Sequence, residues 1–205
     1  MNTTQAKHIF DSLYASINGY YVSMNAKRKL AYTDKTLTYG EVLFESFSEI
    51  LHDAVPRTGE IFYDLGSGTG KAVLIANLLF PFSKTVGIEL LKDINDVALE
   101  VAKRFDSEFK QVVSVEKKLP KLHYIQGDFL SYDFSDADII FSHCTCHPDE
   151  LMRVFSKWCD ELLKIGARVV TVTKPLFSEN FRLIKSKDYK MGWGEGTVLF
   201  YEKVK

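Results

Sequence analysis

The chain has 205 residues, of which 46% are apolar, and this predicts one domain with a substantial core. Its 26 basic and 27 acidic residues give a net charge of −1, which argues against strong binding of nucleic acid. No apolar run reaches about 18 residues, and the start MNTTQAKHIF lacks the features of a secretion signal. We therefore expect an intracellular protein, cytoplasmic or nuclear, that is monomeric, does not bind membranes and keeps its three cysteines reduced.

The N-terminal part of the chain is predicted to be helical. Apolar residues recur at helical spacing over residues 5–22 and again over residues 42–51, with a predicted loop at residues 33–39 between them. We assign residues 1–55 to a helical cap and residues 56–205 to the core of one structural unit.

From residue 61 onward, strand and helix patterns alternate. The predicted strands cover residues 61–65, 85–89, 122–126, 137–142 and 167–173, and the predicted helices cover residues 71–80, 93–105 and 149–163. Such a succession builds a parallel sheet with right-handed crossovers. Two further strands, 181–190 and 197–204, flank the glycine-rich residues 192–196 and predict an antiparallel pair. The predicted fold is α/β and Rossmann-like, with a mostly parallel seven-stranded sheet, a C-terminal antiparallel strand pair and N-terminal helices.

A glycine-rich loop joins the first strand of this succession to the following helix. Its cofactor-binding candidates are Gly66, Ser67, Gly68 and Gly70. Glycines allow sharp turns and a close approach of backbone N–H groups to a ligand, and the helix N-terminus adds a positive dipole.

Three ligand classes compete for this loop. A phosphate-binding P-loop is excluded, because Leu65 and Ala72 stand where a glycine and a hydroxyl residue are required. A dinucleotide fits less well, because Lys71 occupies the position of the third glycine and Asp64 would place a carboxylate beside the pyrophosphate. An acid at this position favours a cationic ligand, and S-adenosylmethionine carries both an ammonium and a sulfonium.

Three acidic residues end three successive predicted strands, at the sheet edge where ligands bind in this kind of fold. Asp64 can hold the amino-acid end of S-adenosylmethionine, and Glu89, about 20 residues after the glycines, can accept both ribose hydroxyls. Asp128 can accept from the adenine amino group, while Phe129 offers an apolar face to the ring. The ordered set predicts S-adenosylmethionine as the cofactor.

Several motifs resemble the disruptor-of-telomeric-silencing family of non-SET histone lysine methyltransferases, within the class I methyltransferase fold. They are Tyr39-Gly40-Glu41, Asp64-Leu65-Gly66-Ser67-Gly68, Gly87-Ile88-Glu89, Gly127-Asp128-Phe129-Leu130 and Thr173-Lys174-Pro175-Leu176. The resemblance covers roughly residues 37–202. It implies that Tyr39 and Glu41 help to enclose the methionine end of the cofactor. It also implies methylation of an accessible lysine side chain of a protein by in-line displacement.

The segment after the fourth core strand departs from the family, whose members carry an Asn-Asn-Phe-type sequence where this chain has residues 142–147. This predicts an altered lysine channel. His143 is a candidate general base near neutral pH, and the alternative is a structural histidine hydrogen-bonded to the backbone. His143, Cys144, Cys146 and His147 crowd together, but adjacent side chains point apart, so we expect no metal site.

Aromatic residues of the terminal strand pair complete the candidate catalytic set. Trp193 and Tyr201 are in keeping with the family's terminal aromatic positions and could form walls of a lysine-sized channel, with core packing as the alternative. Together with His143 and Tyr39, they are the candidate catalytic residues.

Two alternative functions stay open at this point. The chain could methylate a small molecule or another protein atom with the same fold, or it could be a non-catalytic cofactor-binding protein that regulates a partner. The intact glycine loop, Glu89 and Asp128 argue against the second alternative.

Overall fold

A computed structural model describes residues 2–29, 39–114 and 119–205. The predicted loop at residues 33–39 lies outside the described residues except for Tyr39. The N-terminal part contains helices α1 (Thr3–Tyr14), α2 (Gly19–Lys29) and α3 (Phe44–Asp53).

The prediction of one continuous helix over residues 5–22 is wrong, because α1 ends at Tyr14 and a second helix, α2, begins at Gly19. Helix α1 begins at a capping box formed by Asn2 and Gln5. The side-chain oxygen of Asn18 accepts a hydrogen bond from the backbone N–H of Tyr21 at 3.0 Å, in the first turn of α2. Asparagine at a helix start favours non-helical backbone at its own position, so a new helix begins although the apolar period continues.

Seven strands form one sheet in the order β3-β2-β1-β4-β5-β7-β6. They are β1 (Ile61–Leu65), β2 (Lys84–Glu89), β3 (Leu122–Gln126), β4 (Ile139–Ser142), β5 (Arg168–Val172), β6 (Phe181–Met191) and β7 (Gly194–Lys203). Strands β1 to β5 pair in parallel, and β7 runs antiparallel to both β5 and β6. The predicted fold class is confirmed.

The core helices pack on both faces of this sheet. They are α4 (Lys71–Leu79), α5 (Lys92–Glu108), α6 (Lys110–Ser114) and α7 (Asp149–Leu162). Neighbouring residues of β4 point to opposite faces, so that Phe141 joins the core beneath α3 and α4 whereas Ile140 joins the core beneath α7. Among the described residues, no helix is both long and apolar enough to cross a membrane.

The C-terminal strand pair is longer than predicted. Strand β6 extends to Met191 and β7 begins at Gly194, so that only Gly192 and Trp193 form the hairpin tip. Gly194 has a φ of +144°, which favours glycine over residues with a side chain. The predicted loop at residues 192–196 is therefore a tight turn that presents Trp193 at its end.

Candidate active site

A cavity lies at the carboxyl ends of the core strands, beside the point where β1 and β4 are neighbours and the strand order reverses. In open α/β sheets this is where ligands bind. The predicted site residues that line the cavity are Tyr39, Glu41, Asp64, Gly66, Ser67, Gly68, Glu89, Asp128, Phe129 and His143. The structure thus brings together residues that lie up to about a hundred positions apart in the sequence.

The glycine loop has the backbone that its sequence favours. Gly66, Gly68 and Gly70 have φ values of +90°, +54° and +84°. A Cβ on Gly70 would lie 2.6 Å from the ring of Tyr124, so this glycine permits close packing at the start of α4. A Cβ on Gly66 would have no neighbour within 4 Å, so a ligand can approach the backbone at this point of the cavity wall.

Asp64 is a buried carboxylate with an unsatisfied oxygen. It is 3% exposed, and its Oδ1 finds no hydrogen-bond partner in the described part of the chain. Burial, followed by the nearby charge of Glu89, raises the pKa of Asp64 well above its usual range. A buried carboxylate without a partner is unfavourable, so an ammonium group in the cavity would be well matched to it. This fits the amino-acid end of S-adenosylmethionine.

Glu89 ties the glycine loop to the end of β2. Its Oε2 accepts a hydrogen bond from the backbone N–H of Gly68 at 2.9 Å, and its Oε1 accepts one from Leu91 at 2.8 Å. Burial raises the pKa of Glu89, while these backbone hydrogen bonds act in the opposite direction. Each carboxylate oxygen has a further lone pair, which leaves capacity for hydroxyl groups of a ligand.

Tyr39 and Glu41 are held against the first turn of α4. The hydroxyl of Tyr39 donates to Oε1 of Glu41 at 2.8 Å and lies 3.0 Å from Oγ1 of Thr69. Lys71 forms an ion pair with Oε2 of Glu41 at 2.6 Å, and both side chains are largely buried. Lys71 was not predicted as a site residue, because its partner stands 30 positions away and no local pattern connects them.

Asp128 and Phe129 form the opposite part of the cavity wall. Oδ1 of Asp128 accepts from the backbone N–H of Leu130 at 2.9 Å and caps the 3-10 turn Phe129–Ser131. The ring of Phe129 packs edge-on against Phe155 at 5.8 Å and lies nearly parallel to His147 at 6.5 Å. Asp128 therefore has a structural bond of its own and faces the cavity as well.

His143 is fixed between a glycine and the hairpin tip. The indole N–H of Trp193 donates to Nε2 of His143 at 3.1 Å, and the two rings meet edge to face at 6.0 Å. A Cβ on Gly40 would lie 2.6 Å from Cε1 of His143, so the imidazole rests directly on the backbone there. Burial lowers the pKa of His143, which favours the neutral ring.

Neither Trp193 nor Tyr201 is among the described residues that line the cavity. Trp193 contacts His143, which does line it, whereas Tyr201 is 8% exposed and belongs to the core beneath α7. Trp193 directly precedes β7 and Tyr201 lies eight positions further along the chain, which corresponds to roughly 27 Å at about 3.4 Å per residue of extended strand. Both side chains therefore cannot line one lysine-sized channel.

His147 is a cavity residue that was not predicted as part of the site. Its Nδ1 is buried and has no hydrogen-bond partner among residues 2–29, 39–114 and 119–205. Burial, with smaller contributions from His143 and Lys174, lowers the pKa of His147 to about 4. The crowding of histidine and cysteine at residues 143–147 was the only signal, and it does not reveal which ring faces the cavity.

His147 makes a testable contribution to pH-dependent stability. Because its pKa in the folded protein lies below the unfolded value of about 6.5, the folded state binds fewer protons. Its contribution is complete above pH 6.5 and is lost as the pH falls towards 4. We expect His147→Gln to flatten the loss of unfolding free energy between pH 7.5 and 5 by roughly 2 kcal/mol, measured by urea unfolding. Replacement of the exposed His52 by glutamine is the control, and equal slopes in both variants would contradict the assignment.

The sheet order, with its antiparallel seventh strand and a cavity at the point of strand reversal, defines the class I methyltransferase fold. A solved RNA methyltransferase from Salinibacter ruber, in complex with S-adenosyl-L-homocysteine, has this fold with a TM-score of 0.59. It is 21% identical, and the match covers 78% of this chain and 90% of that one. Residues 20–193 match the family described as "Histone methylation protein DOT1", and the chain belongs to this family.

Curated relatives agree with this assignment. The Caenorhabditis elegans protein named "Histone-lysine N-methyltransferase, H3 lysine-79 specific" is 31% identical over 170 residues, which cover 79% of this chain and 16% of that protein. The Saccharolobus islandicus protein named "Protein-lysine N-methyltransferase" is 27% identical over 114 residues, which cover 55% of this chain and 61% of that protein. The chain thus spans less than a fifth of the C. elegans relative and less than two thirds of the archaeal one.

Proposed function

We propose that this chain is an S-adenosylmethionine-dependent methyltransferase that modifies a lysine side chain of a protein. The family match over residues 20–193 carries the proposal, because the matched segment includes every residue of the cavity wall. Both relatives described above are named as lysine methyltransferases, which favours an amine acceptor over a small molecule or another protein atom.

The cavity wall offers a group for each part of the cofactor. We propose that Asp64 accepts from the ammonium, Glu89 from the ribose hydroxyls and Asp128 from the adenine amino group. Phe129 would pack on the adenine, while the methionine end would be cradled and enclosed by Tyr39, Glu41, Gly66, Ser67 and Gly68. Gly70 does not line the cavity and would act indirectly, by letting the start of α4 pack closely on Tyr124. When bound, S-adenosylmethionine supplies a methyl group activated by the positive sulfonium.

The acceptor lysine would enter beside His143 and Trp193. A lysine amine has a pKa of about 10.4 in water and must be neutral to act as a nucleophile, and apolar surroundings lower that pKa. The neutral imidazole of His143 is the proposed base, and the indole of Trp193 is the proposed aromatic wall. Tyr201 has no part in this proposal because it lies in the core.

The helical cap, residues 1–55, is proposed to form one unit with the core at residues 56–205. The hydroxyl of Tyr14 in α1 donates to the carbonyl oxygen of Thr69 in the glycine loop at 2.8 Å. Ser23 of α2 also lines the cavity. These contacts support a cap that helps to shape the site.

The proposal is tested by incubating the protein with methyl-labelled S-adenosylmethionine and a lysate of its source cells. We expect label in discrete protein bands, retained as methylated lysine after acid hydrolysis, and no labelling by an Asp64→Asn variant. Label confined to small metabolites would show that the acceptor is a small molecule and not a protein lysine. Tight binding of S-adenosylhomocysteine by calorimetry, with no transfer to any fraction, would favour a non-catalytic regulatory protein.

A further inference from the structure

The contact between His143 and Trp193 carries an inference that rests on the proposed function and refines its acceptor site. We propose that the indole N–H of Trp193 is a place-holder for the substrate. In the unliganded protein it fills the hydrogen-bonding position at Nε2 of His143 that an N–H of the neutral acceptor amine takes in the reactive complex. Acceptor binding would therefore exchange one N–H donor for another.

Nε2 of the His143 imidazole is the atom at which one N–H donor can replace another. A neutral imidazole has one N–H and one lone pair. Nε2 of His143 accepts the indole N–H at 3.1 Å, so in the neutral ring Nε2 carries the lone pair and Nδ1 carries the N–H. Gly40 supports the ring so closely that even a methyl group there would strike Cε1. The direction of the Nε2 lone pair is thus set by the fold.

Of the two partners in this hydrogen bond, Trp193 is the one that can move away. Trp193 is 41% exposed at the tip of a two-residue hairpin, so its N–H can donate to water once it is displaced. Loss of such a bond costs about 0.5–1.5 kcal/mol. The backbone N–H of Gly192 is anchored to the carbonyl oxygen of Glu41 at 3.0 Å, so the indole can move while the hairpin stays attached.

An N–H acceptor beside the cavity is useful for this reaction. A neutral primary amine has two N–H groups and one lone pair, and transfer requires that the lone pair points at the methyl carbon. Holding one N–H at Nε2 orients that lone pair, and orientation can supply much of the rate in such a displacement. His143 then acts as a positioning group in addition to the proposed role of base.

Indole NMR tests the exchange without reference to turnover, because the chain has two tryptophans, Trp158 and Trp193. A Trp158→Phe variant assigns the two indole N–H signals. In the wild-type protein we expect the Trp193 signal to be shifted downfield and protected from exchange. His143→Phe, which keeps a ring and removes the acceptor nitrogen, should move it upfield and speed its exchange with water.

Titration with n-butylamine, a mimic of the lysine side chain, follows in the presence of saturating S-adenosylhomocysteine. We expect the Trp193 signal to move towards its position in His143→Phe. Trp193→Phe, which keeps an aromatic ring without the donor, should bind the amine roughly two- to twelvefold more tightly, as reported by the imidazole nitrogen signals. A Trp193 signal that the amine does not move, or unchanged affinity in Trp193→Phe, would overturn the inference. Calorimetric binding of S-adenosylhomocysteine reports separately on the proposed function.

Discussion

Replacement of Asp64 by asparagine is expected to abolish cofactor binding and at the same time to stabilise the unliganded protein. The carboxylate is 3% exposed, and one of its oxygens is unpartnered within the described ranges. The charge of Glu89 adds to the effect of burial, and both raise the pKa of Asp64. An amide of the same shape removes the buried charge without leaving a cavity. The site therefore holds a group that is unfavourable for folding until a cation binds to it.

The size and pH dependence of this effect follow from the raised pKa. A carboxyl whose pKa is raised in the folded state binds its proton more tightly than in the unfolded state, so its charge destabilises the protein progressively above pH 4. We expect Asp64→Asn to add roughly 1–3 kcal/mol of unfolding free energy at pH 7 and much less at pH 4. For a chain of this length each kcal/mol corresponds to about 2–4 °C in Tm.

Thermal unfolding and calorimetry with S-adenosylhomocysteine measure the two effects separately. Asp96→Asn is the matched control, because that exposed carboxylate pairs with Lys92 on the surface of α5, where such pairs contribute little. A destabilised Asp64→Asn variant would show that the buried carboxylate already has a partner in the protein. Undiminished binding would show that the cofactor's ammonium is held elsewhere.

The fold could be predicted largely because local patterns determine it. Alternating strand and helix patterns from residue 61 onward give a parallel sheet, and the chirality of crossovers leaves little choice of topology. The break before α2 escaped prediction because the apolar period runs through it, although Asn18 and Gly19 are the residues that favour a helix start.

The cofactor side of the site was also predictable, because strand ends meet at one sheet edge. Asp64, Glu89 and Asp128 each end a strand or follow it directly, so the topology alone brings them to the cavity. The acceptor side depends on side-chain orientation and on contacts between distant residues. The contact of Trp193 with His143 joins residues 50 positions apart, and no sequence period encodes it.

Replacement of Glu89 by glutamine is expected to weaken cofactor binding by about 10- to 100-fold, because a hydrogen bond to a charged group contributes about 1.5–3 kcal/mol. Unlike Asp64→Asn, it should also destabilise the unliganded protein. Both carboxylate oxygens of Glu89 accept backbone N–H groups, from Gly68 and Leu91. A carboxamide has one acceptor oxygen, so its NH₂ group must face one of these N–H donors. Leaving a buried donor unpaired costs about 1–3 kcal/mol, of which relief of the buried charge returns a part.

Calorimetry, urea unfolding and amide hydrogen exchange measure the three consequences of Glu89→Gln. We expect a loss of about 1–2 kcal/mol of unfolding free energy and faster exchange at Gly68 or Leu91, with the exposed Glu100→Gln as control. The same carboxylate-to-amide change should thus raise the free energy of unfolding at Asp64 and lower it at Glu89. A positive stability change in both variants would mean that burial of charge dominates this wall of the cavity. Stability changes of opposite sign, as predicted, would mean that the Asp64 carboxylate serves only to bind the ligand. They would also mean that the Glu89 carboxylate both binds the ligand and stabilises the glycine loop.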